Sequence, residues 1–105
     1  MIKTGEYIRT KSGYIGNVVN INEFRPPEAE ICVNMNFSDY VFVGEEDIKT
    51  HSKNIIDLIE AGDIVRTDNK LYNIQNIEEL KEIDNRRIEE ILTHEIYERE
   101  AYKIE

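Results

Sequence analysis

Gly5-Glu6-Tyr7-Ile8-Arg9-Thr10 and Gly62-Asp63-Ile64-Val65-Arg66-Thr67 are nearly one phrase written twice. Each runs glycine, acid, two apolar or aromatic residues, arginine, threonine. The echo continues downstream, where Asn17-Val18-Val19-Asn20-Ile21 answers Asn73-Ile74-Gln75-Asn76-Ile77. An internal repeat sets architecture, so it governs the reading of the rest of the chain. Each phrase reads as a short strand launched by a glycine. Lys11-Ser12-Gly13 turns the first strand into Tyr14–Ile21, with Gly13 supplying a positive φ. Gly16 within the returning strand predicts a bulge. Asp68-Asn69-Lys70 turns the second strand into Leu71–Ile77.

The segments between and after the hairpins complete a mainly β reading. Phe24-Arg25-Pro26-Pro27 ends the first hairpin, because two prolines cannot join a ladder. Ile31, Val33, Met35 and Phe37 alternate with Cys32, Asn34 and Asn36, the pattern of a half-buried strand. Tyr40–Val43 is another strand. Ser52 as N-cap, Gly62 as left-handed cap and the spacing of Ile55, Ile56 and Ile59 predict a short helix over 52–61. Leu80, Ile83, Ile88, Ile91 and Leu92 roughly fit a helical stripe, whereas Asp84-Asn85 is turn chemistry and Arg87–Leu92 suits a strand. Strand, short helix over 93–100 and a closing strand through Tyr102 and Ile104 is the preferred ending. The expectation is a single α+β, mainly β domain over 1–105, a small antiparallel SH3-like barrel built from the two hairpins. Within it, 1–44 is a first β unit, 45–62 a connecting helix segment and 63–105 a second β unit with a C-terminal helix and strand.

Bulk properties narrow the class. A chain of 105 residues, 40% apolar, supports one modest core. One cysteine and two histidines offer neither a disulfide nor a zinc staple of usual spacing. Cys32, between Ile31 and Val33, reads as a small buried hydrophobe, and a lone cysteine suits a reducing compartment. The opening residues lack the apolar run of a signal peptide, and no stretch approaches the roughly 20 apolar residues of a membrane span. A cytoplasmic protein without membrane contact is expected. Net charge is −9, and residues 78–105 carry 10 acids against 5 bases. Direct nucleic-acid binding is therefore not expected. The acidic segment reads as a solvated face, or more sharply as a mimic of a phosphate backbone.

No constellation for catalysis stands out. The five glycines are scattered, no Ser sits in a nucleophile elbow, and no carboxylate pair is selected. No enzyme activity, cofactor or metal is expected. Against the acidic background, Arg9, Lys49, His51, Lys53 and Arg66 form the candidate ligand-binding set, with Tyr14 and Tyr72 to stack a base. Arginine forks suit phosphate, so the ligand class is a small nucleotide. The competing reading has Arg9 and Arg66 paired with strand neighbours such as Glu6 and Asp63. Tyr7, Phe37, Tyr40 and Phe42 read as core.

His51-Ser52-Lys53-Asn54-Ile55-Ile56-Asp57-Leu58-Ile59-Glu60-Ala61-Gly62-Asp63 resembles a segment of a family of small uncharacterised phage and prophage proteins of low-GC Gram-positive bacteria. That group pairs the segment with a Gly-Glu-Tyr-Ile-Arg-Thr-like opening. Its members close on a segment like Leu92-Thr93-His94-Glu95-Ile96-Tyr97-Glu98 and a finish like Tyr102-Lys103-Ile104. The likeness departs after Asp63, where this chain has the charged stretch Glu78–Arg87. The resemblance implies a phage accessory protein acting inside the bacterial host. The expected function is a non-enzymatic anti-defence inhibitor that binds a host defence protein or sequesters its nucleotide signal. The alternatives are an acidic DNA or RNA mimic that inhibits a nuclease, in the manner of an anti-CRISPR protein, and a structural or regulatory phage protein. A homo-oligomer is expected, because open sheet edges are readily paired by a second copy.

Overall fold

The computed structural model describes residues 2–35, 39–68 and 70–103. The chain divides into two compact units, Met1–Leu58 and Ile59–Glu105. Both are antiparallel β structures with short helical turns.

The first unit is a five-stranded sheet of order β4-β3-β2-β1-β5. Its strands are β1 (Tyr7–Thr10), β2 (Ile15–Ile21), β3 (Ile31–Met35), β4 (Asp39–Val43) and β5 (Ile48–Ser52). The β1–β2 turn forms as its residues dictate. Gly13 takes φ +99°, and Thr10 Oγ1 accepts from the Tyr14 N–H at 2.9 Å. Pro27 opens a 3-10 turn over Pro27–Ala29 that separates β2 from β3. Ile8, Val18, Ile31, Val33, Met35 and Val43 form the buried cluster, with Ile2 beside them. The alternation in β3 holds, with Ile31, Val33 and Met35 buried and Cys32 and Asn34 half-buried. Phe37 lies outside the described residues. Cys32 is thus on the less buried face rather than in the core.

Gly16 pairs regularly with Ile8 and Met35, so it is not a bulge. The β2–β3 register shifts instead between Val18 and Asn20. A Cβ on Gly16 would stand 2.5 Å from Val33 Cγ1 and 2.8 Å from the Asn34 carbonyl. Close approach of the neighbouring strand, not a bulge, is what excludes a side chain there.

The expected helix over 52–61 is not formed. The segment holds β5, then a 3-10 turn over Ile55–Leu58. β5 pairs with β1 and so belongs to the first sheet. Ser52 does not start an α-helix. Its hydroxyl donates to Asp57 Oδ2 at 2.5 Å and accepts from the Asn54 N–H, holding the 3-10 turn shut.

The second unit is a three-stranded sheet of order β7-β6-β8, from β6 (Ile64–Thr67), β7 (Lys70–Asn73) and β8 (Ile88–Leu92). Of the Asp68-Asn69-Lys70 turn, Asn69 lies outside the described residues, and Lys70 already pairs with Thr67. Between β7 and β8 the chain makes two 3-10 turns, Ile77–Glu82 and Asn85–Arg87, not a helical stripe. Asp84 caps the second turn, accepting from the Arg86 N–H at 3.0 Å. Helix α1 (His94–Lys103) then runs three residues past the expected end. Strong helix formers and the absence of Gly or Pro after Glu100 give it no stop signal. Tyr102 is therefore helical rather than part of a closing strand; Ile104 lies outside the described residues.

The repeat is real at the level of backbone hydrogen bonds. Gly5 N donates to Val18 O at 2.8 Å, and Gly62 N donates to Ile74 O at 2.6 Å. Val18 N returns to Glu6 O at 2.8 Å, and Ile74 N returns to Asp63 O at 2.9 Å. Gly5 and Gly62 take φ +94° and +100°, a conformation that favours glycine. Ile8 and Val65, and Val18 and Ile74, are all fully buried. Each first strand pairs on its far side with a strand that follows a 3-10 turn, and each of those registers shifts just after the arginine. The two hairpins nevertheless belong to two sheets. Both sheets are open in strand order, so one barrel closed from both hairpins is not formed.

Candidate binding surface of the first unit

β4 is an edge strand, and its residues carry more exposed apolar area than an edge usually tolerates. Tyr40, Val41 and Phe42 are 63%, 41% and 45% exposed. The core assignment of Tyr40 and Phe42 is thereby corrected. Alternation puts both on one side of β4, and that side faces solvent, with Arg25 over Phe42. Phe42 stacks under the Arg25 guanidinium, 3.7 Å from ring centroid to Cζ. Arg25 Nε donates to the Ala29 carbonyl at 2.9 Å, so the turn after the two prolines holds the cation over the ring.

The other side of β4 borders a cavity of about 460 Å³. Tyr14, Met35, Val41 and Val43 supply its apolar wall, and Lys11 and Asp47 stand at its polar side. Lys11 N donates to Asp47 O at 2.8 Å, which ties the β1–β2 turn to the 3-10 turn before β5. The cavity is large enough for a pair of apolar side chains, and it adjoins a strand edge. That combination suits an extended peptide segment, whose backbone extends the sheet while alternate side chains enter the pocket.

The residues expected to bind a nucleotide do not form one cluster within the first unit. Arg9 is fully buried, and its Nη1 donates to the Leu58 carbonyl at 2.8 Å. Ile8 stands opposite His51, and Arg9 stands opposite Thr50. Side chains alternate along a strand, so His51 projects from the opposite side of the sheet to Arg9, while Lys49 falls at the register shift between Arg9 and Thr10. Lys53 is exposed just beyond β5. Arg66, in the second unit, is half exposed and bridges Glu89 and Glu90 of β8 at 3.2 and 3.0 Å. The pairing with strand neighbours thus holds for Arg66, with Glu89 and Glu90 in place of Asp63. Tyr14 borders the first unit's cavity; Tyr72 borders a separate polar hollow of about 300 Å³ with Asp68, Asp84 and Arg87. Met35, Val41, Val43 and Asp47 were not singled out by sequence. Their one sequence signal, the alternation of β3 and β4, marks a face but not an opening.

Glu6 has a perturbed titration. Its carboxylate accepts from the Lys3 backbone N–H at 2.7 Å and lies 3.3 Å from His51 Nδ1. The Lys3 bond first, and His51 second, hold its pKa below the ordinary glutamate value of 4.5. A depressed carboxylate pKa contributes stability that is full above the unfolded value and is lost as pH falls through the folded one. Glu6→Gln is therefore expected to lower the melting temperature at neutral pH and to flatten its fall below about pH 4.5, the two curves converging in acid. An identical acid limb in both proteins would show that Glu6 carries no linkage.

Comparison with protein-family models, with curated proteins and with solved structures returned no match to this chain. Among the described residues, no helix is long and apolar enough to cross a membrane.

Proposed function

We propose that this chain is a non-catalytic binding protein, a phage accessory inhibitor that occupies a host defence protein through the β4 edge of its first unit. The observation that carries this reading is the exposed Tyr40-Val41-Phe42 edge beside an apolar cavity. An apolar edge left open in a small, highly charged protein is retained where a partner covers it. The sheet order, with a 3-10 turn leading into the strand that returns to β1, supports an SH3-like reading of the first unit. Protein binding is favoured over nucleotide sequestration because Arg9, the central phosphate candidate, is engaged inside the fold. The acidic-mimic reading draws on the exposed Glu89 and Glu90, but Arg66 neutralises part of that charge.

The test is phage plating on bacterial hosts that each carry one defence system. Expression of the wild-type chain is expected to restore plating by at least about 100-fold on one of them, and a loss of about 3 kcal/mol of binding, which weakens Kd more than about 100-fold, is expected to remove the restoration. Tyr40→Lys with Phe42→Ser removes the exposed apolar area, at the loss of the Arg25 stack on Phe42, and is expected to abolish restoration with an unchanged circular dichroism spectrum. Full restoration by that variant, or none by the wild type on any host, overturns the reading. Sedimentation of the two proteins distinguishes a foreign partner from a second copy at the same edge.

A further inference from the structure

The second unit holds a cluster that the binding reading does not use. Glu60 lies in the turn before β6, and His94 and Glu95 open helix α1. His94 Nε2 is 2.9 Å from Glu60 Oε1 and 3.3 Å from Glu95 Oε1. The three donor atoms lie within 4.8 Å of one another, and all three side chains are partly buried. We propose that Glu60, His94 and Glu95 form a divalent transition-metal site, with zinc as the best-fitting ion, that fastens α1 to the turn before β6.

Four observations support it. First, one imidazole nitrogen carries at most one hydrogen, yet two carboxylate oxygens converge on this one. A cation between the three atoms would be bound by all of them at once. Second, the two separations from His94 Nε2, 2.9 and 3.3 Å, are those of neighbouring donors in a coordination polyhedron. Metal–ligand bonds of about 2.0–2.2 Å at tetrahedral to octahedral angles put neighbouring donors about 2.9–3.5 Å apart. Third, two carboxylates and a neutral imidazole carry a formal charge of −2, which a divalent ion cancels. An imidazole in the set selects zinc, cobalt or nickel over magnesium or calcium.

Fourth, the donors are held by a residue whose own side chain does not bind. Asp63 is fully buried. Its Oδ2 accepts from the Glu60 N–H at 2.7 Å, and its Oδ1 accepts from the His94 N–H at 2.9 Å. One carboxylate thus sets the separation of two backbone segments that carry two of the donors. Gly62, at φ +100°, completes the fit, since a Cβ there would stand 3.3 Å from His94 Cβ. Three protein donors leave at least one position for water. Asp63 is a positioning residue, and the ion is a staple of the kind that makes part of a fold's stability metal-dependent.

The experiment uses the full chain, stripped with a chelator and dialysed. Zinc added to saturation is expected to raise the melting midpoint by roughly 5 °C or more. Cobalt(II) is expected to give visible absorption bands of a low-coordinate site. Calorimetric zinc affinity is expected to fall at least about tenfold in Glu95→Gln, and further in His94→Ala; Asp63→Asn weakens it by about 10–100-fold through geometry alone. His51→Ala, which removes the other histidine, leaves affinity unchanged. No heat and no midpoint shift up to about 1 mM zinc overturn the proposal. So does a zinc response that survives in His94→Ala. Should His94→Ala fail to fold, loss of the cobalt bands in Glu95→Gln decides the matter. The phage-plating readout of the β4 edge is untouched by either result.

Discussion

Arg9→Ala is expected to cost about 3–5 kcal/mol of stability, and Arg66→Ala less than about 1 kcal/mol, although the two arginines hold the same place in the repeat. Arg9 lies on β1 with no exposed surface, and its guanidinium donates to the Leu58 carbonyl in the 3-10 turn that packs against β1 and β5. Truncation leaves a cavity the size of a long side chain and a buried carbonyl that has lost a donor. Both costs fall on the same spot, where the 3-10 turn covers β1. Arg66 instead spreads over Glu89 and Glu90 with half its side chain in water. Solvent replaces those ion pairs at little cost. Urea unfolding followed by circular dichroism reads both effects as shifts in midpoint. Arg9→Met separates volume from polarity. It fills much of the space yet still strands the Leu58 carbonyl, so it is expected to fall between wild type and Arg9→Ala. Equal midpoints for Arg9→Ala and Arg66→Ala would refute the buried role assigned to Arg9.

Asp63→Ala is expected to be the most damaging single change in the second unit, at about 2–4 kcal/mol. It removes two acceptors at once, from the Glu60 and His94 N–H groups. The second of these is the cap of the first turn of α1, so helical signal at 222 nm falls along with the midpoint. Asp63→Asn keeps one oxygen but turns an N–H₂ group toward the other donor. It is expected to behave more like alanine than like the wild type. A change of under about 0.5 kcal/mol in Asp63→Ala would mean that water replaces both bonds, contrary to its full burial.

The hairpins and their kinship were legible because each depends on local chemistry. Gly5, Gly13 and Gly62 sit where φ must be positive, and the alternation of Ile31, Val33 and Met35 follows the pleat. What escaped depends on partners distant in sequence. Residues 48–52 are a strand because β1 lacks a neighbour on that side, about 40 residues earlier in the chain. Local spacing around Ile55, Ile56 and Ile59 favoured a helix instead. The arginines show the same divide. Their neighbours in sequence are alike, and only the presence of a covering turn over Arg9 makes one a core residue and the other a surface one. Tyr40 and Phe42 were misplaced because a period of two identifies a face without saying whether anything lies on it. Glu60 and His94 meet across 34 residues, with no spacing rule to link them.

The strands β3 and β4 have no counterpart in the second unit, which passes from β7 to β8 through two 3-10 turns. What the two halves share is the glycine–acid frame with its strand pair, and what they do not share is the β3–β4 hairpin with its exposed apolar edge. Substitutions on the exposed side of that hairpin leave both paired frames untouched, so the edge can vary in sequence independently of the part of the fold that is written twice.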